Sequence, residues 1–409
     1  MLGISKKAEG IAPSLTLAIS DEAKAMKARG IDVIGFGVGE PDFDTPAPIL
    51  DAAREALAKG MTRYTPAAGT AELRRAICAK LLREDGLSYE PGQIVVSNGA
   101  KHSLFNIFQA ILNPGDEVIL PAPCWLSYPE MVRMADGVPV FVDAGEESGF
   151  LPTISQLRSA VTPRTKALLL NNPGNPSGAV WPESLLREIA ELAVEKEFYV
   201  ISDEIYQSLV YGDVKPVSIA SLNEKIKAQT FVVNGVSKAY AMTGWRIGYC
   251  AGPATEMKAI ASYQSQATSN PNSIAQYAAA AALNGPQDSV ETMRRAFEER
   301  RDELLRLVDA IPGISCVKPD GAFYVLLNIR SLIGKICDGQ VIEDSMAFSR
   351  LLLQKAHVAV VPGAAFRAEG YVRISYATGL DSIREGLRRI AEFVAGLDKQ
   401  SVSLADAAS

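Results

Sequence analysis

The stretch 234-NGVSKAYAMTGWRIGY-249 decides how this chain is read. It sets one lysine, Lys238, among small residues and follows it eight positions later with Arg246. The residues just before it, 230–233, are Thr-Phe-Val-Val, an apolar run that reads as a buried strand. An ammonium at the end of such a strand is costly to desolvate. A surface loop with a solvated lysine is the simplest account of one such residue. What the other strand ends carry decides against it.

Working outward, short apolar runs alternate with helical patterns. Strands are expected at 93–97, 117–121, 138–142, 166–171, 198–202, 230–234 and 246–251, and helices at 100–112, 183–196 and 254–266. That alternation predicts a mostly parallel sheet covered by helices. A long charged helix, 288–310, follows Pro286. Beyond it the pattern changes to strand 321–328, helix 342–356, strands 358–361 and 371–376, and helix 380–396, the mark of a smaller α+β unit. The tail 399–409 is small and polar, and reads as disordered.

Composition narrows the function classes. The chain has 409 residues, 48% of them apolar, enough for two domains with sizeable cores. Net charge is −6 with the signs intermixed, and no basic stripe tracks a phosphate backbone, so no nucleic-acid partner is expected. No apolar run reaches membrane-spanning length, and 1-MLGISKKAEGIAPSLTLA-18 lacks the apolar core of a signal peptide. Cys78, Cys124, Cys250, Cys316 and Cys337 are widely spaced with no CxxC pair, which suits a reduced cytoplasm and no zinc site. With only His102 and His357 available, a metal site is not expected, and difficult chemistry points to an organic cofactor. The stretch 35-GFGVGEPDF-43 imitates a dinucleotide fingerprint, but Pro41 blocks the helix that a pyrophosphate site needs.

In an open parallel sheet, ligands bind beyond the carboxyl ends of the strands. There the sequence places 98-NGAK-101, glycine leading into a helix and suited to an anion. It also places Trp125, the turn 172-NPGNPSG-178 with Asn175, then Asp203 and Tyr206, then Ser237 and Lys238. An aromatic plate, an anion cradle, a carboxylate, a phenol and a lysine at one edge suit a flat, phosphorylated ring held covalently by an amine.

The motifs 38-VGEPDFDTP-46, 64-YTPAAG-69, 171-NNPGNPSG-178, 202-SDEIY-206, 237-SKAYAMTGWRIGY-249 and 321-GAFY-324 resemble the class I aminotransferases, pyridoxal-phosphate enzymes of fold type I, over nearly the whole chain. The nearest likeness is to the bacterial aspartate and aspartate/prephenate branch. The resemblance implies a large α/β domain, 47–289, with a seven-stranded, mostly parallel sheet, and a smaller α+β domain from 1–46 and 290–409. It implies that Lys238 holds pyridoxal 5'-phosphate as a Schiff base and later moves the substrate proton. Asp203 would keep the ring nitrogen protonated, while Tyr206 and Asn175 bond the ring oxygen and Trp125 stacks on the ring. Gly99, Ala100, Ser237 and Arg246 would form the phosphate site, with Lys101 beside it. Tyr64 would reach the phosphate of a neighbouring subunit, making a homodimer with shared sites. Arg373 would grip the substrate α-carboxylate, Gly39 would line the substrate side, and Lys101 is the candidate for a second carboxylate. Ala12 stands where some relatives carry a basic residue linked with prephenate, and His102 stands where Gln or Ala is common.

The activity so implied is transfer of the amino group from L-aspartate to 2-oxoglutarate. Other amino donors (aromatic, alanine, prephenate-derived) and elimination chemistry on the same fold remain open. A non-catalytic regulator would need an added DNA-binding segment, and none is expected in the few residues before position 11.

Overall fold

The computed structural model describes residues 3–11 and 15–397. Ala12 and the tail 399–409, both singled out above, lie outside the described residues.

Seven strands form the main sheet: β1 Ile94–Ser97, β2 Glu117–Ala122, β3 Val138–Asp143, β4 Thr165–Asn171, β5 Tyr199–Asp203, β6 Thr230–Gly235 and β7 Gly248–Ala251. Their spatial order is β1-β7-β6-β5-β4-β2-β3. Strand β7 runs antiparallel to both its neighbours, while the remaining strand pairs are parallel. Successive residues feed opposite faces, as the strand period requires. Val95, Val118, Leu120 and Leu169 join one buried cluster with the helices Ala100–Ile111 and Ala254–Ala267. Ile94, Val96, Ile119 and Leu168 point the other way, toward the helices Ala71–Asp85, Ser273–Asn284 and Glu183–Lys196. With both faces covered, the strands need unbroken apolar runs, and that is why they were legible.

A second, antiparallel sheet has the order Val361–Pro362, Tyr371–Ser375, Tyr324–Asn328, Ser315–Cys316. The helices Asp288–Val308, Ser345–Ala356 and Leu380–Ala395 cover it. In the last, Ile383, Leu387, Ile390 and Phe393 recur at helical spacing and are buried, each contributing about 2 kcal/mol of burial. Ile34–Gly35 pairs in parallel with Val358–Ala359. Phe36 is wholly buried beside them, and a Cβ on Gly386 would collide with its ring.

Several boundaries differ from expectation, each for a local reason. The strand expected at 246–251 begins at Gly248, because Arg246 is left-handed at φ 57° and ends a one-turn helix, Thr243–Trp245. The strand expected from 321 begins at Tyr324, since Ala322 is also left-handed at φ 56°. The helix expected from 342 starts at Ser345, where Asp344 caps it by accepting from Ala347 N at 2.7 Å. The run 358–361 is two short strands divided at Val360. After Gly39 no helix starts until Ala47, which removes the dinucleotide reading of 35–43.

Candidate active site

Lys238 leaves the end of β6 and turns into a cavity of about 380 Å³ at the carboxyl edge of the main sheet. Its Nζ donates to Gly39 O at 2.6 Å, and no carboxylate pairs with it directly. Burial, with Arg246 and Arg373 adding to it against the pull of Glu40 and Asp203, brings its pKa down to about 8.

Asp203, the last residue of β5, lines the same cavity and is buried. Its two oxygens accept from Tyr128 Oη at 2.7 Å and Ile205 N at 3.2 Å. Burial outweighs these bonds and the attraction of Lys238, pushing its carboxyl up to about 6. Tyr206 also lines the cavity and shares a hydrogen bond with Tyr324, oxygen to oxygen at 2.9 Å. Burial, and next the neighbouring Tyr324, hold the Tyr206 phenol protonated far above its ordinary range.

The anion end is built on a helix N-terminus. Gly99 is left-handed at φ 88° and caps the helix Ala100–Ile111, whose first amide groups are free to meet an anion. Arg246 lies across this turn, donating to Asn98 O at 3.2 Å and Thr243 O at 2.8 Å. A Cβ on Gly99 would run into its guanidinium. Ala100, Ser237 and Arg246 line the cavity. His102 has a local role here: its Nδ1 accepts from Asn98 N at 3.2 Å, and burial lowers its pKa, favouring that neutral acceptor. Tyr64 is not in this cavity; its side chain stands 91% exposed.

At the opposite end Arg373 projects from Tyr371–Ser375 of the second sheet. It is buried, and donates to Asn175 Oδ1 at 3.0 Å and Gly37 O at 2.9 Å. Its Nε is buried without a partner, and an unpaired buried donor is costly unless something accepts from it. Gly39 closes this side, with no room for a side chain: a Cβ would lie 2.6 Å from Tyr324 Oη. Trp125 is half-buried, edge-on to Tyr128, and the Lys101 ammonium sits 4.6 Å over its ring centroid. Desolvation of that ammonium, then Arg246, lowers the Lys101 pKa.

The structure thus brings together Lys238, Asp203, Tyr206, Asn175, Trp125, Arg373 and the 99–101 turn, and leaves Tyr64 outside. Tyr128 was assigned no role from the sequence, although it follows Trp125 by three residues. Tyr324 lies in the motif 321-GAFY-324, but its bond to Tyr206 has no signature in the sequence. Among the described residues no cluster of His, Cys, Asp or Glu could hold a metal ion.

The residues present fit pyridoxal phosphate. A desolvated amine faces a buried carboxyl, an amide-lined turn lies beside an arginine and suits a phosphate, and a buried guanidinium keeps one donor free. The sheet and its strand-end cavity define the fold type I pyridoxal-phosphate-dependent transferases. The comparisons agree: a family model described as aminotransferase class I and II matches residues 31–390. The aspartate aminotransferase of Bacillus sp. (strain YM-2) is 49% identical over 96% of this chain and 99% of its own. The aspartate/prephenate aminotransferase of Nitrosomonas europaea is 46% identical over 96% and 99%. Among solved structures, the Rhizobium meliloti aspartate aminotransferase superposes with a TM-score of 0.94 at 44% identity, covering 97% of this chain and all of that one. The Thermus thermophilus aspartate aminotransferase with maleate gives 0.90 at 47%, covering 96% and all of that chain. The chain belongs to the class I and II aminotransferases, and its cofactor is pyridoxal 5'-phosphate.

Proposed function

We propose that this enzyme transfers the amino group of L-aspartate to 2-oxoglutarate, giving oxaloacetate and L-glutamate in two half-reactions at one site. The observation that carries this reading is the single cavity in which the Lys238 amine, the Asp203 carboxyl and the Arg373 guanidinium meet. Relatives named for aspartate, and a relative solved with maleate, a four-carbon dicarboxylate, support the choice of substrate.

When bound, pyridoxal phosphate supplies a protonated ring that can take up the electron pair of a breaking Cα–H bond. Arg373 orients the donor by pairing with its α-carboxylate, for which its planar fork and free Nε are suited. Lys238 Nζ would take the α-proton and deliver it two bonds away, on the far side of the amino nitrogen; a pKa near 8 lets the amine work close to neutral pH. Asp203 supplies the negative charge for the ring nitrogen, steadied by the Tyr128 hydroxyl. Tyr206 and Asn175 would hold the ring oxygen, Trp125 would cover the ring face, and Gly99, Ala100, Ser237 and Arg246 would receive the phosphate. Lys101, beside Trp125, takes the distal carboxylate that aspartate and glutamate share.

The same reading has residues 47–289 carrying the cofactor, while the described residues of 1–46 and 290–409 form the smaller domain. Tyr64, exposed here, completes the site of a second copy, which makes the enzyme a homodimer. We place it in the cytoplasm, where the thiols of Cys78, Cys124, Cys250 and Cys316 stay reduced. The test is a panel of donors with 2-oxoglutarate on purified enzyme. Aspartate should lead alanine and phenylalanine, with glutamate formed one for one; ammonia release, or a lead for phenylalanine, would overturn the assignment.

A further inference from the structure

Gln264, in the helix Ala254–Ala267, is 0% exposed. A side-chain amide has two donor hydrogens and two acceptor lone pairs, and all four are used. Nε2 donates to Ala67 O at 2.6 Å and Val96 O at 2.8 Å. Oε1 accepts from Ser97 Oγ at 2.6 Å and Asn106 Nδ2 at 2.9 Å. The two carbonyl partners fix which way the amide faces.

These partners belong to two separate places. Val96 and Ser97 close β1 at the entry to the 98–101 turn, and Asn106 lies in the helix which that turn begins. Ala67 belongs to the loop that carries Tyr64. Gln276, also 0% exposed, pins the rest of that loop: its Oε1 accepts from Thr70 N at 2.8 Å and its Nε2 donates to Thr65 Oγ1 at 3.1 Å. Val96 N donates to Ala68 O at 3.0 Å. Gly69 at φ 98° is packed so closely that a Cβ would lie 2.7 Å from the Val96 side chain. The exposed ring of Tyr64 therefore stands on a loop fixed to the floor of the anion turn.

We propose that Gln264 is a positioning residue for the cofactor phosphate in two sites at once. Through Ser97 and Asn106 it sets the anion turn of its own chain, and through Ala67 it sets the Tyr64 arm that enters the neighbouring chain's site. The proposal rests on the shared-site dimer proposed above.

Hybrid dimers of differently tagged chains separate the two effects. One chain keeps Lys238 and the other carries Lys238→Ala, so the lysine-linked cofactor, read by its absorbance, reports one site only. Gln264→Met should speed release of that cofactor about tenfold, one buried hydrogen bond's worth, whichever of the two chains carries it. Ser97→Ala should act only in the chain with Lys238, and Gln276→Met only in the chain with Lys238→Ala. Unchanged release with Gln264→Met in either position overturns the proposal. So does an effect confined to one position. Should Gln264→Met fail to assemble, the other two variants decide: acting from opposite chains supports the proposal, and acting from the same chain overturns it. Tyr64→Phe in the Lys238→Ala chain is the control for the dimer itself. If it leaves release unchanged while Gln264→Met still acts within its own chain, the shared-site reading is what fails.

Discussion

Lys238 and Asp203 are buried toward each other without a direct bond, and each is shifted toward its neutral form, to about 8 and about 6. In the cofactor-free protein these shifts have opposite signatures. Asp203 keeps its proton to higher pH folded than unfolded, so its contribution is complete below about 4 and is lost as pH rises through about 6. Lys238 sheds its proton more readily folded, so its contribution is complete only above about 10.5 and is lost as pH falls through about 8. Calorimetry on cofactor-free Asp203→Asn should therefore show a melting temperature that gains on wild type between pH 4 and 6 and holds that gain to pH 8. A pH-independent difference would mean that the carboxyl is not desolvated. With cofactor bound the same variant should lose kcat by at least about a hundredfold, the scale of losing a preorganised charge. Borohydride reduction and peptide mapping should place the pyridoxyl group on Lys238; a label on another lysine would remove it from the chemistry. Lys101→Ala should lower kcat/KM for aspartate by about ten- to a thousandfold, as a charge-assisted contact does, and spare alanine. Equal losses for both donors would assign Lys101 to the phosphate instead.

At the scale of elements, the turn before the helix Ala100–Ile111 is wedged against β7. A Cβ on Gly248 would collide with the Ala100 amide nitrogen and with Gly99 C, both backbone atoms that cannot swing aside. Gly248→Ala should destabilise the fold by about 1–3 kcal/mol in urea unfolding, the range of overpacked sites. It should also weaken inorganic phosphate binding to the cofactor-free protein; an unchanged midpoint would show that the turn yields freely. How legible such features were depends on their period. The seven strands could be read because burial on both faces demands continuous apolar runs. Trp125, Asp203 and Lys238 stood out because polar or bulky residues interrupt those runs at one end. The starts of the strands at Gly248 and Tyr324 were missed because left-handed backbone at Arg246 and Ala322 has no signature in side-chain type. Tyr128, Gln264 and Gln276 were missed because each lies on a helix, where a polar side chain has no local signal that it is buried. Only tertiary packing shows that they are buried.

For the whole molecule, the exposed Tyr64 leads to a prediction about assembly. Sedimentation at assay concentration should give a dimer, and Tyr64→Phe should leave that dimer intact while weakening cofactor retention; a fully active monomer would contradict the shared site. The pairing of Ile34–Gly35 with Val358–Ala359 has a consequence in the time domain of protein synthesis. Those partners are about 320 residues apart, which at ribosomal speed is roughly 16–65 s of elongation. Throughout that interval Phe36, which ends wholly enclosed, has neither the Ala359 carbonyl nor the Ser375 amide that fix its backbone. Asp203 and Lys238 have left the tunnel well before Arg373 is translated. The nascent chain therefore passes through a stage in which Asp203 and Lys238 are already made, Arg373 is not, and the apolar segment around Phe36 lacks its strand partners. That segment is where a holdase chaperone would bind.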